Sequence, residues 1–279
     1  MSSLTLTAID RHTSFDDPKI RREYSASGTP VILSEQSRRW PALTRWTPSF
    51  FKEKHGELTV QTYDASFQSP GPHYLRPFGE MTFSNYIALI ESGPTPIRLF
   101  LFRLLNKVPT LKEDILLPEW LDRFSRRFLF TFFGGKGGIT TFHYDVDLPH
   151  VFHTVLYGTK EFYLFSPKET PRLYRHPFTV RSYIDVGNPD YKTYPLLRDA
   201  QGIHCTVHPG ETLFIPSGWW HQVVYTGPSY GVVFRQFLPR KIPQAFYNLL
   251  IAEPIDRLFT ALAPEGWFRW KDTASGRAP

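Results

Sequence analysis

The chain is poor in the features that tie a protein into a secreted scaffold or a membrane. It has a single cysteine, Cys205, in 279 residues. An intrachain disulfide framework is therefore excluded, and a reducing, cytoplasmic setting is the expectation. The opening stretch MSSLTLTAIDRHTSF has no basic segment followed by an apolar one, so no secretory signal is expected. The most apolar stretch, RLFLFRLL, carries Arg98 and Arg103 and is far too short to span a bilayer. Internal repeats at solenoid periods and low-complexity tracts are also lacking, which removes the repeat architectures.

What the sequence does have is aromatics, at 16%, and 25 prolines. That mixture favours many short strands with frequent turns over long helices. The net charge of +6 is moderately basic. Arg123, Arg126 and Arg127 form its densest cluster, with Lys168, Arg172, Arg175 and Arg181 spread beyond. Such a balance suits nucleic acid or an acidic peptide, but no RNA-binding motif accompanies it, so nucleic acid is not the expected partner.

Four regions follow from the turn signals. Residues 1–126 mix helices and strands. Thr47 caps a helix that Gly56 stops, Thr82 caps another that ends before Gly93, and PVIL from Pro30 reads as a buried strand. Residues 127–238 are short strands separated by GGKGG, Gly158-Thr159 and His208-Pro209-Gly210, the pattern of a sandwich or barrel. Residues 239–270 predict two helices, and 271–279 a disordered tail.

The sharpest chemical signal is His143-Tyr144-Asp145. On a strand, positions i and i+2 share a face, so an imidazole and a carboxylate can hold one ion. His221, in GETLFIPSGWWHQVVY, would complete a facial triad that leaves three coordination sites open. A salt-bridged pair is the plain alternative for an isolated H-x-D. Lys160 enters the apolar strand EFYLF, either as a snorkelling edge residue or as the partner of a buried anion. The distal carboxylate of 2-oxoglutarate is such an anion, and Thr140 could add a hydroxyl donor to it.

ITTFHYD, FHTVLYGTKEFYLFSP, the loop HPFTVRSYIDVGNPDY and PGETLFIPSGWWH resemble, in order and spacing, the Jumonji-C hydroxylases of the cupin superfamily. They are similar in particular to the asparaginyl hydroxylase type that acts on hypoxia-inducible factor. The resemblance implies a mainly β fold: a double-stranded β-helix (cupin, jelly-roll) core, an N-terminal α+β elaboration and C-terminal helices. It also implies Fe(II) held by His143, Asp145 and His221, with 2-oxoglutarate held by Lys160 and Thr140. The expected activity is hydroxylation of a C–H bond in a protein or peptide side chain or an amino acid, with N-demethylation as the same chemistry. By analogy with the family, the C-terminal helices would form a homodimer.

Departures from the asparaginyl hydroxylase pattern bear on the substrate. The cosubstrate-binding tyrosine of that pattern falls on Phe100, and its two asparagines on Val151 and Gln236. The substrate-gripping pair falls on Val180 and Arg181, which leaves Arg181 as the substrate residue. His153 faces either the cosubstrate or the core. Asp147 is a spare carboxylate, Trp219 and Trp220 are expected to pack around His221, and His204, Cys205 and His208 lack the spacing of a zinc site. The alternative to an oxygenase is a non-catalytic cupin that binds a metal or ligand, or a cupin enzyme that needs no 2-oxoglutarate.

Overall fold

The computed structural model describes residues 4–69, 74–124 and 128–276. Arg126 and Arg127 of the basic cluster, the 126/127 boundary and the last three residues lie outside them. In chain order the strands are β1 (Thr5–Thr7), β2 (Asp10–His12), β3 (Val31–Leu33), β4 (Thr59–Thr62), β5 (Gly79–Thr82), β6 (Arg98–Phe102) and β7 (Phe130–Gly134). They continue as β8 (Ile139–His143), β9 (His150–Tyr157), β10 (Lys160–Phe165), β11 (Gln201–Val207), β12 (Thr212–Ile215), β13 (Trp220–Tyr225) and β14 (Ser229–Gln236).

Two sheets face each other. One has the order β1-β11-β10-β13-β8, the other β2-β3-β12-β9-β14-β7-β6, and β4 and β5 form a small ribbon. From β7 onward successive strands alternate between the sheets, except that β10 and β11 are antiparallel neighbours in the same sheet. This is the jelly-roll winding of the double-stranded β-helix. The core is mainly β, with helices in the N-terminal layer and at the C-terminus.

Three apolar layers explain the strand sequences. Val151, Val155, Phe162, Leu213, Ile215 and Val233 fill the space between the sheets. On the outer face of the larger sheet, Phe152, Leu156, Phe214 and Phe234 pack against Trp46, Phe51 and Phe83 of the N-terminal layer. Outside the smaller sheet, Phe142, Phe165 and Trp220 pack under the loop that carries Leu173, Val180 and Leu197. β9 is covered on both faces, which is why it is buried along its length up to Tyr157 instead of alternating.

The N-terminal helices form where their caps predict. The Thr47 hydroxyl accepts from Phe50 N–H at the start of Pro48–His55, and the Thr82 hydroxyl from Asn85 N–H at the start of Phe83–Ser92. Gly158 turns β9 into β10 at φ 65°, where an added Cβ would also meet the Pro228 carbonyl at 2.1 Å.

The C-terminal part differs from two helices and a tail. Ile242–Tyr247 runs through a π turn, Asn248–Ala252, into Glu253–Leu262, and Pro264–Ala274 follows. Pro254 has no N–H to donate to a preceding carbonyl, and the helix widens just ahead of it. The last helix extends past residue 270 because Lys271 is buried in an ion pair with Asp256, to which Tyr74 also donates a hydrogen bond.

Candidate active site

Between the sheets lies a cavity of about 690 Å³ that opens beside the C-terminal helices. His143, Asp145, His221, Thr140, Lys160's partner His153, and Arg181 all line it.

Strand register builds the metal-binding end. His143 on β8 and His221 on β13 are directly opposite partners, and their ring centroids are 4.3 Å apart. With Asp145 they form a group whose donor atoms all lie within 4.8 Å of one another, the one such His/Cys/Asp/Glu group among the described residues. Each ring is oriented the same way. His143 Nδ1 donates to the Thr141 carbonyl at 2.7 Å, and His221 Nδ1 donates to the Trp219 carbonyl at 3.1 Å. Both therefore turn an Nε2 lone pair toward Asp145, because a ring whose other nitrogen is tied to a carbonyl is fixed in tautomer and direction as a metal ligand must be.

The electrostatics suit the same purpose. Burial, reinforced by His221, depresses His143 to about 3, and burial also lowers His221. Burial opposes ionisation of Asp145, but the charges that can stand beside it, the Arg235 guanidinium foremost, outweigh burial and hold the carboxyl below its ordinary range. Near neutral pH the site thus offers two neutral imidazoles and one carboxylate, a donor set that fits a divalent iron with open positions.

Deeper in, Lys160 is fully buried at the start of β10. Its Nζ donates to the Phe132 carbonyl and to His153 Nε2, both at 3.3 Å, and sits 4.8 Å from the Tyr225 ring centroid. These partners are neutral, and burial lowers the ammonium to about 7. A buried cation with only neutral partners fits the terminal carboxylate of a dicarboxylate cosubstrate. Because His153 Nε2 accepts, its proton is on Nδ1 and the ring is neutral, as burial and Lys160 both require.

Thr140 lies three residues before His143, which on a regular strand would put the two on opposite faces. Two steps along β13, from His221 to Val223, match three along β8, from His143 to Thr140. This β-bulge brings Thr140 back to the cavity, where its hydroxyl meets that of Tyr225.

Arg181 lines the mouth, but it does not stand alone. It forms a buried ion pair with Glu253 at 2.9 Å and contacts the Tyr74 hydroxyl at 3.3 Å, so it fastens the C-terminal helices over the opening. Phe100, Val151 and Val180 line the cavity as well. Gln236 does not: it points out of the opposite face of β14 and donates to Asp122. The residue facing inward is its neighbour Arg235, which sequence reasoning missed. Arg235 pairs with both Asp145 and Asp147, giving the spare carboxylate its partner. The inward parity of Val233, two positions earlier on β14, was the available signal.

The remaining motifs are structural. Trp220 is fully buried against Phe142 and Tyr144, and Trp219 Nε1 donates to the Gly28 carbonyl. Cys205 faces the core while its neighbour His204 stacks on Tyr163 on the outside, so the two point apart.

A family model described as a cupin-like domain matches residues 18–237. The chain belongs to the cupin-like domain family. Among curated relatives, this cupin-like chain is 29% identical to a lysine-specific demethylase (JMJ21) of Arabidopsis thaliana, over 80% of its own length and 25% of the relative's. It is 27% identical to lysine-specific demethylase 8 of Xenopus tropicalis, over 77% of itself and 49% of the relative. It is 26% identical to tRNA wybutosine-synthesizing protein 5 of Gallus gallus, over 88% of itself and 79% of the relative. The chain thus spans only a quarter to about half of the first two. Proteins of this Jumonji-C, cupin-like kind use Fe(II) and 2-oxoglutarate, and the donor set and buried cation described above fit both groups.

Proposed function

We propose that this chain is an Fe(II)- and 2-oxoglutarate-dependent oxygenase that hydroxylates a C–H bond of a protein or peptide side chain, or of an amino acid, presented at the cavity mouth. The observation that carries the reading is the pairing, in one cavity, of a His-Asp-His group with a buried lysine whose hydrogen-bond partners are neutral. His143, Asp145 and His221 hold the metal. Lys160 and Thr140 hold the distal carboxylate, and neutral His153 orients the ammonium from behind. When bound, iron and 2-oxoglutarate would let dioxygen convert C–H to C–OH, one oxygen atom going to the substrate and the other to the succinate formed as 2-oxoglutarate loses carbon dioxide.

The chain's own part is placement and exclusion. The Nδ1–H bonds to Thr141 and Trp219 carbonyls keep both imidazoles aimed without reorganisation. Phe132, Phe162, Ile215 and Val233 dry the walls, which strengthens the lysine–carboxylate attraction. The Arg181–Glu253 pair fixes the rim over which a substrate side chain enters. Two of the relatives are named for lysine demethylation, so methylated lysine peptides are the first substrates to try.

The second element of the reading is a homodimer through the C-terminal helices. Phe246, Leu250, Leu258 and Leu262 are 60%, 58%, 54% and 71% exposed there, an apolar face that a second copy would cover. No helix among the described residues is long and apolar enough to cross a membrane.

The test is succinate formation by protein supplied with Fe(II), 2-oxoglutarate and oxygen, beside a His143→Ala control, with calorimetry of 2-oxoglutarate binding to Mn(II)-loaded protein. Metal-dependent succinate that the control loses is the expected result. No succinate and no 2-oxoglutarate binding would leave the non-catalytic cupin in its place.

A further inference from the structure

β9 and β14 present alternate residues to their two faces. Val151 and Arg235 look into the catalytic cavity, while His150 and Gln236 look outward. On that outward side is a second cavity of about 630 Å³, bordered by the helix Pro18–Ser27 and by the segments around residues 120–123 and 237–240. Four arginines line it: Arg21, Arg22, Arg123 and Arg240. One carboxylate, Asp122, is the only acidic side chain in the lining, and it pairs with Arg123. The arginine cluster noted in the sequence begins at this cavity.

The floor supplies a second, independent observation. His150 is 5% exposed. Its Nδ1 accepts the Ser217 N–H at 3.1 Å, so the neutral ring carries its proton on Nε2. That donor has no partner among the described residues, and the ring lines the cavity. Around it, Arg21 stacks over Trp120 and gives one terminal nitrogen to the Phe15 carbonyl, with no other hydrogen-bond partner for its fork among the described residues. Arg22 has its Nε on the Pro18 carbonyl and no partner for its terminal nitrogens among the described residues.

We infer that this cavity is a binding site for a small phosphate-bearing ligand, distinct from the catalytic cavity and back-to-back with it across the larger sheet. Guanidinium forks match phosphate oxygens in pairs, and a neutral imidazole N–H adds a donor without adding a charge to bury. Several guanidinium groups around one cavity favour a compact di- or polyphosphate over a single carboxylate, which one arginine could neutralise. An extended nucleic-acid strand would instead want a groove open at both ends.

The experiment is a calorimetric titration of the full chain with sodium pyrophosphate at constant ionic strength, repeated with inorganic phosphate and with a single-stranded RNA oligonucleotide. The variants are Arg22→Gln/Arg240→Gln, both exposed positions, and Lys52→Gln as a distant charge control. Saturable binding of one pyrophosphate, weakened tenfold or more in the double variant and unchanged in the control, is expected. His150→Gln, which keeps a donor, should retain more affinity than His150→Phe. No saturable binding, or equal binding by the double variant, would overturn the site. Tight RNA binding without pyrophosphate binding would overturn the small ligand as its occupant.

Discussion

Arg235 holds Asp145 through Nη2 at 2.5 Å while its other terminal nitrogen, Nη1, reaches Asp147 at 3.2 Å. One guanidinium thus bridges two carboxylates that would otherwise repel each other at the metal-binding end of the cavity. Burial and the Asp145 charge push Asp147 up, and the arginine works against both.

Removing that cation should destabilise the metal-free protein. Arg235→Met leaves two largely buried carboxylates without a counter-charge, and breaking such a pair costs about 3–5 kcal/mol. The Asp145 carboxyl is held below its ordinary value, so its contribution is complete above the unfolded value of about 3.9 and is lost as pH falls through the folded one. Urea unfolding at neutral pH should therefore show a large gap between wild type and variant, and acid should narrow it. A gap that stays constant with pH would assign the loss to packing alone.

Lys160 makes cosubstrate binding depend on pH. Its ammonium titrates near 7 when only neutral groups surround it, and a bound carboxylate would raise that value. Binding of 2-oxoglutarate to Mn(II)-loaded protein should then take up a proton above pH 7 and weaken as pH rises. Calorimetry in buffers of different ionisation enthalpy reads the uptake directly. Lys160→Ala should lose affinity by about ten- to a hundredfold, the worth of a charged hydrogen bond of roughly 1.5–3 kcal/mol. Unaltered affinity in that variant would remove the lysine from the site.

Metal should bind once and stabilise the fold. At a hundred times its dissociation constant a ligand adds about 2.7 kcal/mol. Melting of the protein should rise on adding Mn(II) and fall back with a chelator. His221→Ala should melt near the metal-free wild type and not respond to either. A response equal to that of the wild type would place the metal elsewhere.

The exposed leucines of the C-terminal helices give the oligomer its test. Leu258→Glu/Leu262→Glu should convert a sedimenting dimer to a monomer without loss of secondary structure. A wild type that is already monomeric at tens of micromolar, on the order of most weak self-associations, would remove the second copy from this face.

The sequence carried the fold through its caps, turns and strand periods because these are local. Thr47, Thr82 and Gly158 act on their own neighbours, and each appears at the end of the element it was expected to bound. His143 and Asp145 were legible as a pair for the same reason. Their meeting with His221 rests on strand register, which motif order suggests and only pairing determines. Arg235 was missed because β14 was read by its offset from a family pattern, which selected Gln236, and not by its own alternation. A one-residue error in a strand exchanges the faces. The tie between Arg181 and Glu253 spans 72 residues and has no local mark at all.

The extra residue in β8 resets the strand's phase between two chemical tasks. Ahead of it the strand turns the Thr140 hydroxyl to the cavity, and behind it the His143 imidazole, the two groups proposed to serve the cosubstrate and the metal. Removing the extra residue would leave a plain two-residue step against the same stretch of β13, with both side chains still on one face. The distance between them is thus set by the partner strand and not by the residue count of β8, and the bulge is what lets a three-residue spacing in the sequence behave as a two-residue one.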